Sequence, residues 1–295
     1  MARFFSHTQL DEMVRHFDVQ GYLRVENALT ADQIRRFDQA VDRHIKDCPD
    51  DWMALSDSFC EAIDVLPHTA AFDEVIESPL LLEILRAILG EDLTFEEFAI
   101  MLRNPTANLN EIKGWHRDIV RDYERRKEIY AVSVMWYLTD VSPTDHCFCI
   151  VPESHNRLVD LNPCDVAADA GVDLIGSAGT AVLFHARAIH NARLKKNSTQ
   201  RRTLQAYFSN RLDQRTNEWT SIPPRLYQKS DPALPLHFYA KWNVTNIQDG
   251  VGKRPADIDP GLPMTEVIKE VQRRGKLKMK GWPAAYRSSR REQST

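Results

Sequence analysis

Long apolar runs are missing from this 295-residue sequence. No stretch approaches the ~18 residues that a membrane-spanning helix needs, so no helical membrane span is expected. An apolar leader core is missing as well, because MARFFSHTQLDEMV breaks its apolar residues with His, Gln, Asp and Glu; the expected location is cytoplasmic. Charge of one sign is scarce: 38 Lys and Arg stand against 42 Asp and Glu, a formal net charge of −4. That balance gives no electrostatic reason to bind nucleic acid or an anionic membrane. Cysteines are few and odd in number, Cys48, Cys60, Cys147, Cys149 and Cys164, without the spacing of a disulfide framework. Cys147-x-Cys149 could be a soft metal pair, but its apolar setting, CFCIV, reads as packing. Internal repeats and low-complexity linkers are also absent, so residues 1–295 are expected to form one domain.

What is present falls into two halves. Residues 8–18 carry a helical pattern with Leu10, Met13, Val14 and Phe17 on one side, and GYLRVEN then reads as a strand. Thr30 with Gln33 forms a capping box for a helix that repeats Ile34, Phe37, Val41 and Ile45. A third helix starts at Ser78-Pro79 and stops at Gly90. The first ninety residues therefore read mainly as a helical layer. From Leu93 the pattern shifts to short segments rich in Val, Ile, Phe and Trp: LTFEEFAIML, YAVSVMWYL, CFCIV, TAVLF and TLQAYF. In the second of these, Val132, Val134, Trp136 and Leu138 share one face. Five such strands with uneven loops predict a mainly β (α+β) fold with a double-sheet jelly-roll barrel and the N-terminal helices packed outside. Beyond about residue 212 the chain is Pro-rich, then offers one short helix, MTEVIKEVQRRG, and a basic, Ser-rich end expected to be frayed or solvated.

Two His-x-Asp pairs occur, His16-Phe17-Asp18 and His116-Arg117-Asp118, where about one is expected by chance from ten His in the chain. The first lies in a helical pattern, where residues two apart diverge by about 200° and cannot chelate one ion. The second follows an Asn/Pro-rich loop, and in an extended segment residues i and i+2 point the same way. Two His and one carboxylate, with coordination positions left open, is the donor set of non-haem Fe(II) oxygenases. His185, His190 and His237 are the candidates for the second imidazole. His190 lies in a turn expected after the strand AVLFH, and Arg201 and Arg202 follow at the start of the next strand. An Arg there suits a dicarboxylate cosubstrate, because a guanidinium binds a carboxylate bidentately. Tyr123, Arg125, Arg126 and Lys127 read as an exposed charged loop.

From about Phe17 to Phe208 these segments resemble the phytanoyl-CoA dioxygenase family of Fe(II)- and 2-oxoglutarate-dependent oxygenases. FDVQGYLRVENALTADQIRRF is similar to its opening, GWHRD to its His-x-Asp segment, LTDVSPTDHCFCIVPESH to its strand, turn and Pro-x-Ser-His, and LFHARAIHNARLKKNSTQRR to its distal His and Arg. The resemblance implies a cupin-like double-stranded β-helix over about 17–212, with 213–295 as a C-terminal extension. It also implies Fe(II) ligands at His116, Asp118 and His190, and Arg201 as the anchor of 2-oxoglutarate, with Arg202 as the fallback. Trp136 or Met135 falls near a position lining the cosubstrate pocket. Oxidation of a small-molecule C–H with O2, most simply hydroxylation, would release succinate and CO2; the Asp118 carboxylate argues against halogenation. Departures fall at Asp145-His146, Glu153 and Thr180, none of them a ligand position. The partners expected are a small-molecule substrate and at most a second copy in a homodimer, with no nucleic acid and no membrane. The competing readings are a non-catalytic ligand-binding relative and a zinc hydrolase.

Overall fold

Two reciprocal capping boxes start the first two helices. Ser6 and Gln9 satisfy each other's exposed amides at α1 (His7–Gln20), and Thr30 and Gln33 do the same at α2 (Ala31–Asp47). Gly21, at φ +80°, ends α1 and turns the chain into β1 (Tyr22–Val25). A Cβ at this glycine would lie 2.5 Å from Nδ1 of His155, so the turn requires the missing side chain. The computed structural model describes residues 3–109, 114–118, 131–156, 161–167, 169–196, 198–210, 220–227, 234–235 and 238–239. The helix expected at 264–275, the basic C-terminal end, Tyr123 to Lys127, and His237 lie outside the described residues.

After α2 come β2 (Trp52–Ala54), β3 (Phe59–Ala62), α3 (Asp73–Ile76) and α4 (Pro79–Leu89), then β4 (Leu93–Arg103) and β5 (Ala131–Tyr137). The β2–β3 hairpin corrects the expectation of a mainly helical first third: it pairs with β4 and extends the large sheet. The remaining strands are β6 (Cys147–Ile150), β7 (Val172–Leu174), β8 (Ala181–His185), β9 (His190–Arg193) and β10 (Arg201–Asn210). Seven strands form one antiparallel sheet in the order β1-β8-β5-β10-β4-β3-β2, and β7-β6-β9 form a second. This is the expected double-sheet jelly roll, with the chain alternating between the two sheets from β7 to β10.

The two faces of the large sheet differ. Val132, Val134, Trp136, Leu204, Ala206 and Phe208 join Phe17, Phe37, Leu85 and other helical residues in the larger apolar core, on the outer face. Met135, Tyr137, Val182 and Phe184 line the other face and pack on Phe148, Ile150 and Leu174 of the small sheet. Alternation along β5 and β8 thus feeds two cores at once, the first gluing helices to the barrel and the second filling its interior, whereas β10 feeds only the first. Part of the C-terminal extension belongs to the outer core: Ile222, Leu226 in α5 (Pro224–Tyr227), Phe238 and Tyr239 are buried there. Phe95 donates its amide to the carbonyl of Phe238 at 2.9 Å. No described helix is long and apolar enough to cross a membrane. All five cysteines are free thiols; Cys147 packs in the interior core, and Cys149 donates to the Asn191 carbonyl.

Candidate metal centre

His116 and His190 are direct antiparallel partners. Each amide donates to the other's carbonyl, at 3.1 and 3.0 Å, which puts both side chains on one face. His190 is the first residue of β9 rather than part of a turn, a correction to the sequence reading. Two residues past His116, the Asp118 amide donates to the carbonyl of Ala186 at 3.1 Å. Both ends of the 116–118 segment are therefore pinned to the stretch that leads into β9, and the donor atoms of His116 and Asp118 converge. Arg117, between them, turns aside, and its guanidinium donates to the carbonyls of Arg187 and Leu161.

One donor atom from each of His116, Asp118 and His190 lies within 4.8 Å of the other two. Nε2 of His190 is 3.3 Å, and Nε2 of His116 3.7 Å, from Oδ1 of Asp118. Each imidazole turns Nδ1 toward a carbonyl two residues upstream, His116 to Gly114 at 3.2 Å and His190 to Ala188 at 2.9 Å. A ring that donates from Nδ1 carries its lone pair on Nε2, the atom facing Asp118, and this is the tautomer a metal ligand needs. The other carboxylate oxygen, Oδ2, accepts the Tyr207 hydroxyl at 2.5 Å, and Gln205 donates to Tyr207 at 3.0 Å. Asp118 is thus turned to offer a single oxygen. Burial works against its charge, but with protons on the two Nε2 atoms the His190 and His116 imidazolium rings, together with the Tyr207 hydroxyl, outweigh burial and hold the carboxyl well below the ordinary range; a metal ion would take the place of those protons.

The walls are apolar. His190 packs against Phe148 and Phe184, with ring centroids 5.2 and 4.9 Å away. The Ser154 hydroxyl accepts the amide of Ile189 at 2.7 Å and donates to the Val151 carbonyl at 2.6 Å, which fixes the approach to His190. Ser154 belongs to the Pro-x-Ser-His segment, and its neighbour His155 bonds the Asp18 carbonyl at the end of α1. Trp115 donates to the Ala167 carbonyl and lies so close to Gly171, at φ +84°, that a Cβ there would come within 2.9 Å of its ring.

Arg201 and Arg202 occupy opposite faces of β10. Arg202 donates to Asp38 and Asp42 of α2 at 2.9 and 2.7 Å and serves the outer surface. Arg201 is buried, its single hydrogen bond to a described residue is a long one of 3.4 Å to the His146 carbonyl, and its Nε has no partner among the described residues. Burial lowers its pKa, and the groups that oppose this are Tyr137, Cys147 and Cys149, none of them a carboxylate. A buried guanidinium without an anion fits an incoming carboxylate. Trp136, by contrast, is packed in the outer core with Leu204, its cross-strand partner, on the face away from the triad. Of the two residues expected near the pocket, Met135 faces the interior.

His16 and Asp18 lie on α1, with His16 against the Tyr22 ring, and take no part. His185 is buried beside His155, and burial first and then that neighbour push its pKa down to about 3. It accepts the Arg187 amide and does not join the triad. Sequence reasoning missed Tyr207 and Gln205, although both share the even-numbered spacing from Arg201 that puts them on its face of β10.

The sequence model of the family described as phytanoyl-CoA dioxygenase (PhyH) matches residues 17–203. No curated protein matches the sequence. Among solved structures, AviO1 from Streptomyces viridochromogenes Tue57 is similar at 19% identity and a TM-score of 0.58, over 72% of this chain and 100% of that one. HygX from Streptomyces hygroscopicus, solved with nickel, 2-oxoglutarate and hygromycin B, is similar at 17% identity and a TM-score of 0.56, over 70% and 90%. The epimerase SnoN, solved with Fe3+, alpha ketoglutarate and nogalamycin RO, is similar at 16% identity and a TM-score of 0.57, over 70% and 85%.

Proposed function

The chain belongs to the phytanoyl-CoA dioxygenase family of iron- and 2-oxoglutarate-dependent enzymes, and from that premise we propose that it hydroxylates an unactivated C–H bond of a small-molecule metabolite. His116, Asp118 and His190 hold the iron in this reading, and Arg201 binds the far carboxylate of 2-oxoglutarate. The observation that carries it is the pairing of a pre-oriented two-His, one-carboxylate cluster with a buried arginine that lacks an anion. The donor chemistry fits Fe(II): two imidazoles, neutral once bound, and one oxygen of a carboxylate would hold the ion and leave coordination positions for other ligands.

When bound, iron with 2-oxoglutarate and O2 supplies the oxidising chemistry, with succinate and CO2 as coproducts. The chain's own part is positioning. The Gly114 and Ala188 carbonyls hold the Nδ1 protons and so keep both Nε2 lone pairs inward. Tyr207 keeps one oxygen of Asp118 occupied, so that the other is presented alone. Arg201 offers two parallel N–H donors to a carboxylate, which fixes the cosubstrate's far end. Phe148, Phe184, Met135 and Val182 keep water away from the interior. The core about 17–212, continued by the buried part of the extension, is read as one catalytic domain.

Two structural neighbours were solved with hygromycin B or nogalamycin RO, both small molecules, which supports a small-molecule substrate here. Neighbours of this fold also include an epimerase and a carbocyclase, so product analysis must separate hydroxylation from epimerisation and ring closure. Anaerobic titration tests the reading. Fe(II) with 2-oxoglutarate should give a weak visible charge-transfer band that vanishes in His116→Ala, and substrates should then be found by succinate release across metabolites and acyl-CoA esters. Absence of the band, with tight zinc binding instead, would sink it in favour of a hydrolase or a binding protein.

A further inference from the structure

A second group of metal-capable donors lies on elements that contribute nothing to the triad. His44 sits in the last turn of α2, Cys48 follows one turn later at its C-terminal cap, and Asp51 closes the short 3-10 turn Pro49–Asp51. One donor atom from each lies within 4.8 Å of the other two. His44 is only 4% exposed, and neither of its ring nitrogens has a hydrogen-bond partner among the described residues. Asp51 Oδ2 is buried in the same state, 3.5 Å from Nε2 of His44 and 3.3 Å from Nε2 of His68. The Trp52 ring stands edge-on to His44 at 5.9 Å and shields it from one side.

This differs from an ordinary core histidine. A buried imidazole normally ties at least one nitrogen to a carbonyl, as His190 does to Ala188, because an unsatisfied buried polar group carries its full desolvation penalty. Here both nitrogens of one ring and a carboxylate oxygen are orphaned side by side, next to a thiol.

We propose that His44, Cys48 and Asp51, with His68 as fourth donor, form a structural zinc site. A thiolate, two imidazoles and a carboxylate suit Zn2+, and two anionic with two neutral donors cancel its charge. Four protein donors close a tetrahedral shell and leave no position for substrate, so the ion has a structural role. On binding, Cys48 forms a bond to zinc through sulfur and releases its thiol proton to solvent. His44, Cys48 and Asp51 must draw in, since zinc bonds run about 2.0–2.3 Å, and the partly exposed His68, which lies outside that three-donor group although its Nε2 is 3.3 Å from Asp51 Oδ2, must turn inward to join them. The ion would clip the end of α2 to the start of β2, the edge strand of the seven-stranded sheet, and to the loop carrying His68 before α3.

Cobalt(II) titrated into the full-length chain separates this site from the triad, which contains no sulfur. The expected result is a near-ultraviolet thiolate-to-cobalt charge-transfer band with the intense visible bands of tetrahedral cobalt, displaced by Zn2+. The band should persist in His116→Ala and disappear in Cys48→Ser, a nearly isosteric change at a half-buried position. Zn2+ should also raise Tm in the unaltered chain by several degrees more than in Cys48→Ser or Asp51→Asn. Absence of a thiolate band, or a band that survives in Cys48→Ser, overturns the site.

Discussion

His16-Phe17-Asp18 and His116-Arg117-Asp118 share one residue pattern and meet different fates. On α1 the His16 ring meets Tyr22, and the two side chains leave the helix in divergent directions. In the segment at 116–118, the backbone bonds to His190 and Ala186 hold the chain where the two side chains converge. The adjacent Arg201 and Arg202 repeat the lesson, since strand alternation sends one into the barrel and the other onto Asp38 and Asp42. Residue type sets what a side chain can do; backbone conformation decides whether it does it.

The largest expected effect breaks the first comparison directly. Asp118→Ala or His190→Ala should lower 2-oxoglutarate turnover by more than the roughly 100-fold that losing an outer-sphere partner costs, whereas His16→Ala leaves succinate release unchanged. A comparable loss in His16→Ala would show that the pattern, and not its backbone, matters. Next comes the arginine pair. Arg201→Gln should weaken 2-oxoglutarate binding about 10- to 100-fold, the worth of a charge-assisted contact at about 1.5–3 kcal/mol, measured as the concentration needed for half-maximal charge-transfer absorbance. Arg202→Gln should leave that concentration unchanged and instead lower the urea midpoint, because its role is to tie α2 to β10.

A finer cut concerns the aim of Asp118. Tyr207→Phe removes the hydroxyl that occupies Oδ2, and Fe(II) affinity should fall about tenfold, the lower end for an outer-sphere contact; a competing chelator reads it. The smallest effect concerns a carboxylate with no metal role. Asp145 accepts bonds from Ser142 and Thr199, and although burial opposes its charge, those bonds lower its pKa to about 2. A depressed carboxyl pKa stabilises the fold at pH above the unfolded value near 3.8 and loses that effect as pH falls through about 2. Asp145→Asn should therefore cost about 1 kcal/mol at neutral pH, with the gap to the unaltered chain closing between about pH 4 and pH 2 in urea melts. A constant gap would remove the charge from the account.

Much of this was legible in the chain itself. Helical spacing marked α1, the Thr30–Gln33 capping box marked α2, segments rich in Val, Ile, Phe and Trp marked β4, β5, β8 and β10, and alternation sorted the faces of β5. The family resemblance, carried by GWHRD and LFHARAIHNARLKKNSTQRR, rests on segments that keep their backbone form. The β2–β3 hairpin was not legible, because strands of three or four residues carry no usable period. HNAR reads as a turn for the same reason, and only pairing to Ile150 and His116 makes it a strand. Alternation put Trp136 on one face of β5 with Val132 and Val134 but could not say which face meets the barrel, since both are buried. The roles of Tyr207 and Ser154 were not legible, although strand spacing and the Pro-x-Ser-His segment pointed at the residues, because those roles depend on contacts 89 and 35 residues away.

The reciprocal backbone pair between His116 and His190 also has a kinetic side. It closes a loop of over seventy residues, and Asp118 gains its Tyr207 contact only once β10 has joined the sheet. A chain emerging during synthesis therefore has no assembled triad until its last strands are in place, and such long-range closure is the slow part of folding a β-barrel. Any ion held there binds the finished barrel and not its precursor, so at a hundred times its dissociation constant it would add about 2.7 kcal/mol to native stability. Loss of iron and loss of fold would then reinforce each other.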